Sequence, residues 1–214
     1  MTQDRPVADA QGHSAAPQVV AFDFDGTLTT HDSFTAFLKW RAGPVRYALG
    51  LIRLAPAALA YLVHRDRGRI KAAAAREYLG GVSRERLEAD ARAFAAFQAA
   101  TFLRPDALAT WNDWRSRGAR LVIVTASPDL VVRPFAEGLG ADDLIGTQLA
   151  FDPEGRATGD FATPNCRGPE KVTRLKAAFG REVELTAAYG DTGGDREMLA
   201  MAKSAGYRVF KERP

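Results

Sequence analysis

The sequence predicts an α/β fold built on a doubly wound, mostly parallel sheet, with a helical cap inserted after the first strand. Three observations predict it. Short apolar runs rich in β-branched residues recur along the 214-residue chain, helical stretches separate them, and one interval between runs is far longer than a strand crossover requires. With 46% hydrophobic and 26% charged residues the balance is that of a globular protein, and the length accommodates one sizeable core with a small subdomain.

Taken in chain order, residues 1–17 are polar, lack an apolar run long enough for a signal-peptide core, and are expected to form a flexible tail. Gln18–Phe24 (QVVAFDF) is the first strand, its apolar run typical of a strand covered on both faces. The next such run, Arg120–Thr125 (RLVIVT), begins about 95 residues later, whereas a crossover needs about a dozen or somewhat more. Helical stretches at Ser33–Ala42, Pro44–His64, Arg69–Leu79 and Arg84–Thr101 fill the excess. We place the cap at residues 32–102 and the core at 18–31 and 103–214. Arg104–Arg117 returns to the sheet as a helix stopped by Gly118, and Pro128–Gly138 is a second helix. A hairpin of Gln148–Phe151 and Arg156–Asp160 turns at Pro153–Gly155. Pro169–Phe179 is a helix ending at Gly180, Leu185–Gly190 a strand, Asp195–Lys203 a helix, and Tyr207–Phe210 a weaker last strand.

The net charge of +3 is unevenly spread: between Lys39 and Arg76 nine Lys or Arg residues accompany one acid, Asp66. An anionic surface or substrate is drawn there first. No stacking aromatics interleave those charges, so nucleic acid is not an expected partner. The single cysteine, Cys166, allows no internal disulfide and no C-x-x-C zinc site, which predicts a reducing, cytoplasmic setting.

The candidate chemistry begins with Asp23-Phe24-Asp25-Gly26-Thr27, at the C-terminal end of the first strand, where open α/β sheets bind ligands. Asp23 and Asp25 are expected to project to one side, and carboxylates crowded together call for a hard cation such as Mg²⁺; a strand running into an Asp-Gly turn contains the same residues. A second acidic pair, Asp191 and Asp195, follows the Leu185–Gly190 strand. Asp191 suits a direct metal ligand, and Asp195 either a partner of that metal or a helix N-cap. Thr125-Ala126-Ser127 offers a hydroxyl and backbone N–H groups at a helix start, as an anion site or as a cap before Pro128. Lys171 and Arg167 are solvated surface residues or phosphate contacts. Trp111 and Trp114 are expected to pack the returning helix on the sheet. Tyr47–Val63 has Arg53 as its only charge and Pro56 as its only helix breaker, with Arg46, Arg53 and His64 on one stripe. It reads as an interfacial helix drawn to anionic lipid, or as an amphipathic pair inside the cap, split at Pro56.

In this order, Asp23-x-Asp25-Gly26-Thr27, Thr125, Lys171 and Gly190-Asp191-x-x-x-Asp195 resemble the four motifs of the haloacid dehalogenase superfamily, over roughly Val19–Phe210. The insertion resembles the helical cap of its phosphoserine phosphatase-like branch. The resemblance implies a Rossmann-like core and a Mg²⁺-dependent phosphate monoester hydrolase. Asp23 would be the nucleophile, Asp25 the acid and base, Thr125 and Lys171 the stabilisers of transition-state charge, and Asp23, Asp25, Asp191 and Asp195 the metal site. Thr27, Asp32, Ser127 and Arg167 would face substrate; phosphoserine phosphatases have glutamate at the position of Asp32. Asp32, the Asn165–Lys171 stretch and the cap composition are similar to the bacterial phosphatidylglycerophosphatase C family. That implies a lipid phosphate such as phosphatidylglycerol phosphate and peripheral contact with the inner face of the plasma membrane. A phosphoserine-type or other small-metabolite phosphatase, a phosphotransferase and an inactive binding protein of the same fold stay open.

Overall fold

The computed structural model describes residues 18–64 and 67–214; the expected tail lies outside the described residues. The first strand, β1 (Val19–Phe22), is followed by five helices: α1 (Ser33–Arg53), α2 (Ala55–His64), α3 (Arg67–Leu79), α4 (Arg84–Phe102) and α5 (Pro105–Ser116). Then come β2 (Arg120–Pro128), α6 (Asp129–Leu139), β3 (Asp143–Thr147), the short strands β4 (Leu149–Phe151) and β5 (Ala157–Phe161), and α7 (Pro169–Phe179). The chain closes with β6 (Leu185–Gly190), α8 (Arg196–Ala200) and β7 (Ala202–Tyr207).

Five strands form one parallel sheet in the order β3-β2-β1-β6-β7. From β1 the chain builds outward through β2 and β3, then crosses back to add β6 on the other side of β1. The winding therefore reverses beside β1, and a crevice opens at the strands' carboxyl ends. Period-two alternation divides the core. Val20 and Phe22 of β1 pack with Leu121, Ile123, Phe37, Phe94, Trp111 and Phe135, whereas Val19 and Ala21 pack with Val122, Val124, Leu175 and Met198. Phe22 is fully buried, with its ring 4.6 Å from that of Tyr189 and 5.0 Å from that of Trp111; its burial contributes about 1.5–3 kcal/mol.

The inserted helices leave and rejoin the core side by side. Thr30 N–H donates to Phe102 O at 2.9 Å, and Arg104 N–H to Leu28 O at 2.9 Å. The antiparallel β4–β5 hairpin is fastened beneath them: Gly81 N–H donates to Ala157 O and Ala157 N–H to Val82 O, both at 2.8 Å. A side chain at Gly159 would place its Cβ 2.3 Å from Arg76 Cα, so glycine lets the hairpin lie directly on α3.

Four local expectations change. The expected helix Asp195–Lys203 ends at Ala200, and the last strand is Ala202–Tyr207 rather than Tyr207–Phe210. This edge strand is mostly exposed and reads AKSAGY, so no apolar run marked it. β3, wedged beside β2, was not expected either, because its five residues DLIGT hold only two apolar side chains. Finally, the Pro44–His64 helix is divided differently: α1 bends at Gly43 (φ +71°), and the chain turns by 54° between α1 and α2. Pro56 falls within the first turn of α2, where a missing N–H costs little. No single described helix is long and apolar enough to cross a membrane.

Candidate active site

The C-terminal ends of β1 and β6 lie side by side, and Asp23 N–H extends their ladder by donating to Tyr189 O at 2.9 Å. Asp23 and Asp191, each one residue past its strand, are thereby brought together. After Asp23 the chain makes a tight turn in which Thr29 N–H donates to Phe24 O at 3.0 Å. Gly26 occupies φ +83°, and a Cβ there would lie 2.4 Å from Asp191 Oδ2. Glycine thus serves two needs, the left-handed backbone and the close approach of the second acidic segment.

Lys171, at the start of α7, is fully buried and connects the segments. Its Nζ donates to Asp23 Oδ1 at 2.6 Å, Asp195 Oδ1 at 2.8 Å and Val124 O at 2.5 Å. Asp195 Oδ2 accepts from the Thr192 N–H and hydroxyl, both at 2.9 Å, while the Thr192 hydroxyl accepts from Gly194 N–H. Asp195 therefore closes a capping box as the residue three past the N-cap Thr192, and its side chain does not cap α8, the N-cap role open in the sequence.

Among the described residues, Asp23, Asp191 and Asp195 each offer a carboxylate oxygen within 4.8 Å of the others. Asp25 is directed elsewhere: its carboxylate accepts from Ser33 N–H at 2.7 Å and from the Ser127 hydroxyl at 2.5 Å. The two carboxylates of the first motif are thus separated by their donors.

Charge within this cluster does not balance. Burial pushes the Asp23 carboxyl up to about 7, against the pull of Lys171. Burial and then the charge of Asp195 raise Asp191, while Asp195 itself, although buried, is held below the ordinary carboxylate value by Lys171 and by its hydrogen bonds. Asp23 and Asp195 in turn keep Lys171 protonated despite its burial. One ammonium offsets one carboxylate, leaving Asp23 and Asp191 in excess. Asp191 Oδ1 is also buried with no hydrogen-bond partner among the described residues, an arrangement that costs free energy unless a cation completes it. All the donors are oxygens, so the cluster fits a hard ion such as Mg²⁺. Asp25 is raised as well, by burial and then by Asp32, which favours a protonated, proton-donating form.

These acids floor a cavity of about 570 Å³ beneath the inserted helices. Asp23, Asp25, Asp32, Arg167, Lys171, Asp191 and Asp195 line it. Of the other expected residues, Thr27 lies beneath, its hydroxyl donating to Asp23 Oδ2 at 3.3 Å. Thr125 and Ser127 are buried in the β2 terminus, with Ser127 N–H donating to the Thr125 hydroxyl at 3.0 Å. Asp32 caps α1 through Thr35 N–H, and Arg167 donates to the Thr192 hydroxyl at 3.3 Å. Cys166 is buried and its thiol is pushed up to about 11, which keeps it unreactive near neutral pH. Sequence reasoning missed Lys71 of α3, which lines the cavity and donates to Ala126 O at 2.6 Å. Only the local basic excess pointed towards it.

The fold that carries these residues has counterparts among known proteins. The chain is 56% identical over all of its 214 residues to protein CicA of Caulobacter vibrioides, covering 95% of that protein. A crystal structure of a Bordetella pertussis protein of unknown function superposes with a TM-score of 0.74 at 21% identity, covering 88% of each chain. A phospho-aspartyl intermediate analogue of phosphoserine phosphatase superposes with a TM-score of 0.58 at 19% identity, covering 88% of this chain and 85% of that one. The sequence model of the haloacid dehalogenase-like hydrolases matches residues 20–200, which span both acidic segments and everything between them, and the chain accordingly belongs to that family.

Proposed function

We propose that this protein is a Mg²⁺-dependent phosphate monoester hydrolase that works through an acyl phosphate on Asp23. The observation that carries the proposal is the Asp23 carboxylate on the cavity floor, held by Lys171 and adjoining Asp191 and Asp195. The phosphoserine phosphatase structure, described as a phospho-aspartyl analogue, shares the fold.

In the first step an Asp23 oxygen attacks phosphorus as the bond to the leaving oxygen breaks, and Asp25 gives its proton to the departing alkoxide. In the second step Asp25, now a carboxylate, takes a proton from water; the water oxygen displaces Asp23 and frees inorganic phosphate. Lys171 holds Asp23 in one orientation and offsets the charge that builds on the transferring group. Thr27 supports Asp23 from below, and Ser127 with Ser33 aims Asp25. Asp23 and Asp191, with Asp195 close by, would hold Mg²⁺, which when bound shields the phosphoryl oxygens so that an anionic nucleophile can approach.

For substrate we favour a lipid phosphate such as phosphatidylglycerol phosphate, with the protein peripheral to an anionic membrane. Above its acidic floor the cavity is walled by Leu38, Leu51, Leu54, Tyr61, Ile70 and Ala74. On the outer side of the same bend Val45, Leu49, Ile52, Leu59 and Leu62 are 50–73% exposed, an apolar surface suited to the interfacial region of a bilayer. A water-soluble phosphomonoester is the second reading, favoured by the pairing of Arg46 and Arg53 with Glu77, which weakens their attraction to anionic lipid. Phosphate release with Mg²⁺ from phosphatidylglycerol phosphate in vesicles, phosphoserine and other soluble monoesters separates the two. The lipid is expected to be the best substrate; faster turnover of soluble esters with no vesicle binding would establish the second reading. Asp23→Asn activity equal to wild type would overturn both.

A further inference from the structure

The cavity wall holds a cation that the proposed chemistry leaves without a task. Lys71 projects from α3, and its Nζ reaches Ala126 O at 2.6 Å, the residue next to Ser127, which in turn touches Asp25. It lies 5.7 Å from the centre of the Phe34 ring. Ala126 O also accepts from the Thr147 hydroxyl at 2.7 Å, so that carbonyl is shared. Asp25 and Asp32 are the acids whose charge Lys71 feels. Yet Asp25 is bound by two serines, Asp32 caps α1, and among the described residues no carboxylate lies within ion-pair distance of Lys71. Burial lowers the proton affinity of its ammonium. A half-buried ammonium with one shared carbonyl as partner is poorly compensated, and it retains N–H donors for an anion.

Its neighbours indicate where that anion sits. Ile70 and Ala74, on the same face of α3, line the cavity with Lys71. Lys71 thus reaches the acidic end of the cavity, at the residue before Ser127, from a helix whose Ile70 and Ala74 add apolar lining. We propose that Lys71 binds a second oxyanion, carried by the leaving portion of the substrate between the transferred phosphate and its apolar part. A phosphodiester and a carboxylate share this chemistry. The inference rests on the phosphatase reading of the site and adds a specificity-determining residue to it.

Binding of leaving-group fragments tests the inference without requiring turnover. Isothermal titration with glycerophosphoglycerol, glycerate and uncharged glycerol would be compared for wild type, Lys71→Met and Lys71→Arg. At least one anionic fragment is expected to bind wild type more tightly than glycerol does. Lys71→Met should weaken it by roughly tenfold or more and Lys71→Arg by less than roughly threefold, the scale of one charge-assisted hydrogen bond. The fragment affected identifies phosphodiester or carboxylate. Equal affinity in all three proteins, or wild-type binding no tighter than to glycerol, overturns the proposal. Matching thermal midpoints exclude misfolding, and Lys71→Arg retains the charge should Lys71→Met prove unstable. Failure of the phosphatase reading would show separately, as absence of phosphate release.

Discussion

Replacing Lys171 with methionine removes the cation that lies 2.6 Å from Asp23 and 2.8 Å from Asp195, at a position where the side chain is 2% exposed. Water cannot take its place, and removing one partner of a buried ion pair costs about 3–5 kcal/mol. For a chain of this size each kcal/mol moves the thermal midpoint by about 2–4 °C, so a fall of about 6–20 °C is expected near pH 8. The loss must depend on pH with a definite sign. Asp195 has a depressed pKa in the wild type, so its contribution to stability is present above the unfolded value of 3.8 and vanishes as pH falls through the folded value. Without Lys171 both buried carboxyls rise, each costing about 1.4 kcal/mol for every pH unit between its unfolded and folded values. Thermal unfolding followed by circular dichroism in metal-free buffer from pH 5 to pH 8 should show the deficit shrinking towards pH 5. An unchanged midpoint, or a deficit that grows as pH falls, would refute the buried-pair account.

Mg²⁺ should raise the wild-type thermal midpoint more at pH 8 than at pH 6. Asp23, with a folded pKa of about 7, must lose its proton to hold the ion, and in metal-free protein this group costs stability as pH rises from its unfolded value towards 7. Asp191→Asn should weaken that response by roughly tenfold in Mg²⁺ affinity, measured by titration calorimetry. Gly26→Ala should cost about 1–2 kcal/mol for the left-handed backbone and also reduce the Mg²⁺ response, because the new Cβ meets Asp191 Oδ2; a stability change with metal binding intact would separate the two effects. The triple change Ile52→Glu, Leu59→Glu, Leu62→Glu, at positions 64–71% exposed, should move the midpoint by no more than about 3–6 °C and abolish sedimentation with anionic vesicles; retained sedimentation counts against membrane docking.

Much of the fold was legible because its signals are local. The apolar run at β6 and the proline and glycine boundaries of α7 locate those elements to the residue, whereas the runs at β1 and β2 place their strands with ends two to three residues off. β3 and β7 escaped because each owes its strand conformation to a parallel neighbour in the sheet rather than to its own side chains. In the site, the acidic segments could be read because strand ends place them. The orientation of Asp25 could not, since it depends on Ser127, 102 residues away in sequence. Lys71 was hidden for a similar reason: one lysine among nine basic residues of its region reaches the site only through a hydrogen bond to Ala126 O, 55 residues away in sequence.

Covalent attachment of phosphate to Asp23 is the central claim, and reductive trapping tests it most directly. Protein quenched during Mg²⁺-supported turnover and treated with borohydride should yield homoserine at position 23 on peptide mass spectrometry, as expected of a reduced acyl phosphate. The conversion should be absent without substrate. Turnover with Asp23 left unmodified, or with the trapped group on another residue, would contradict the account.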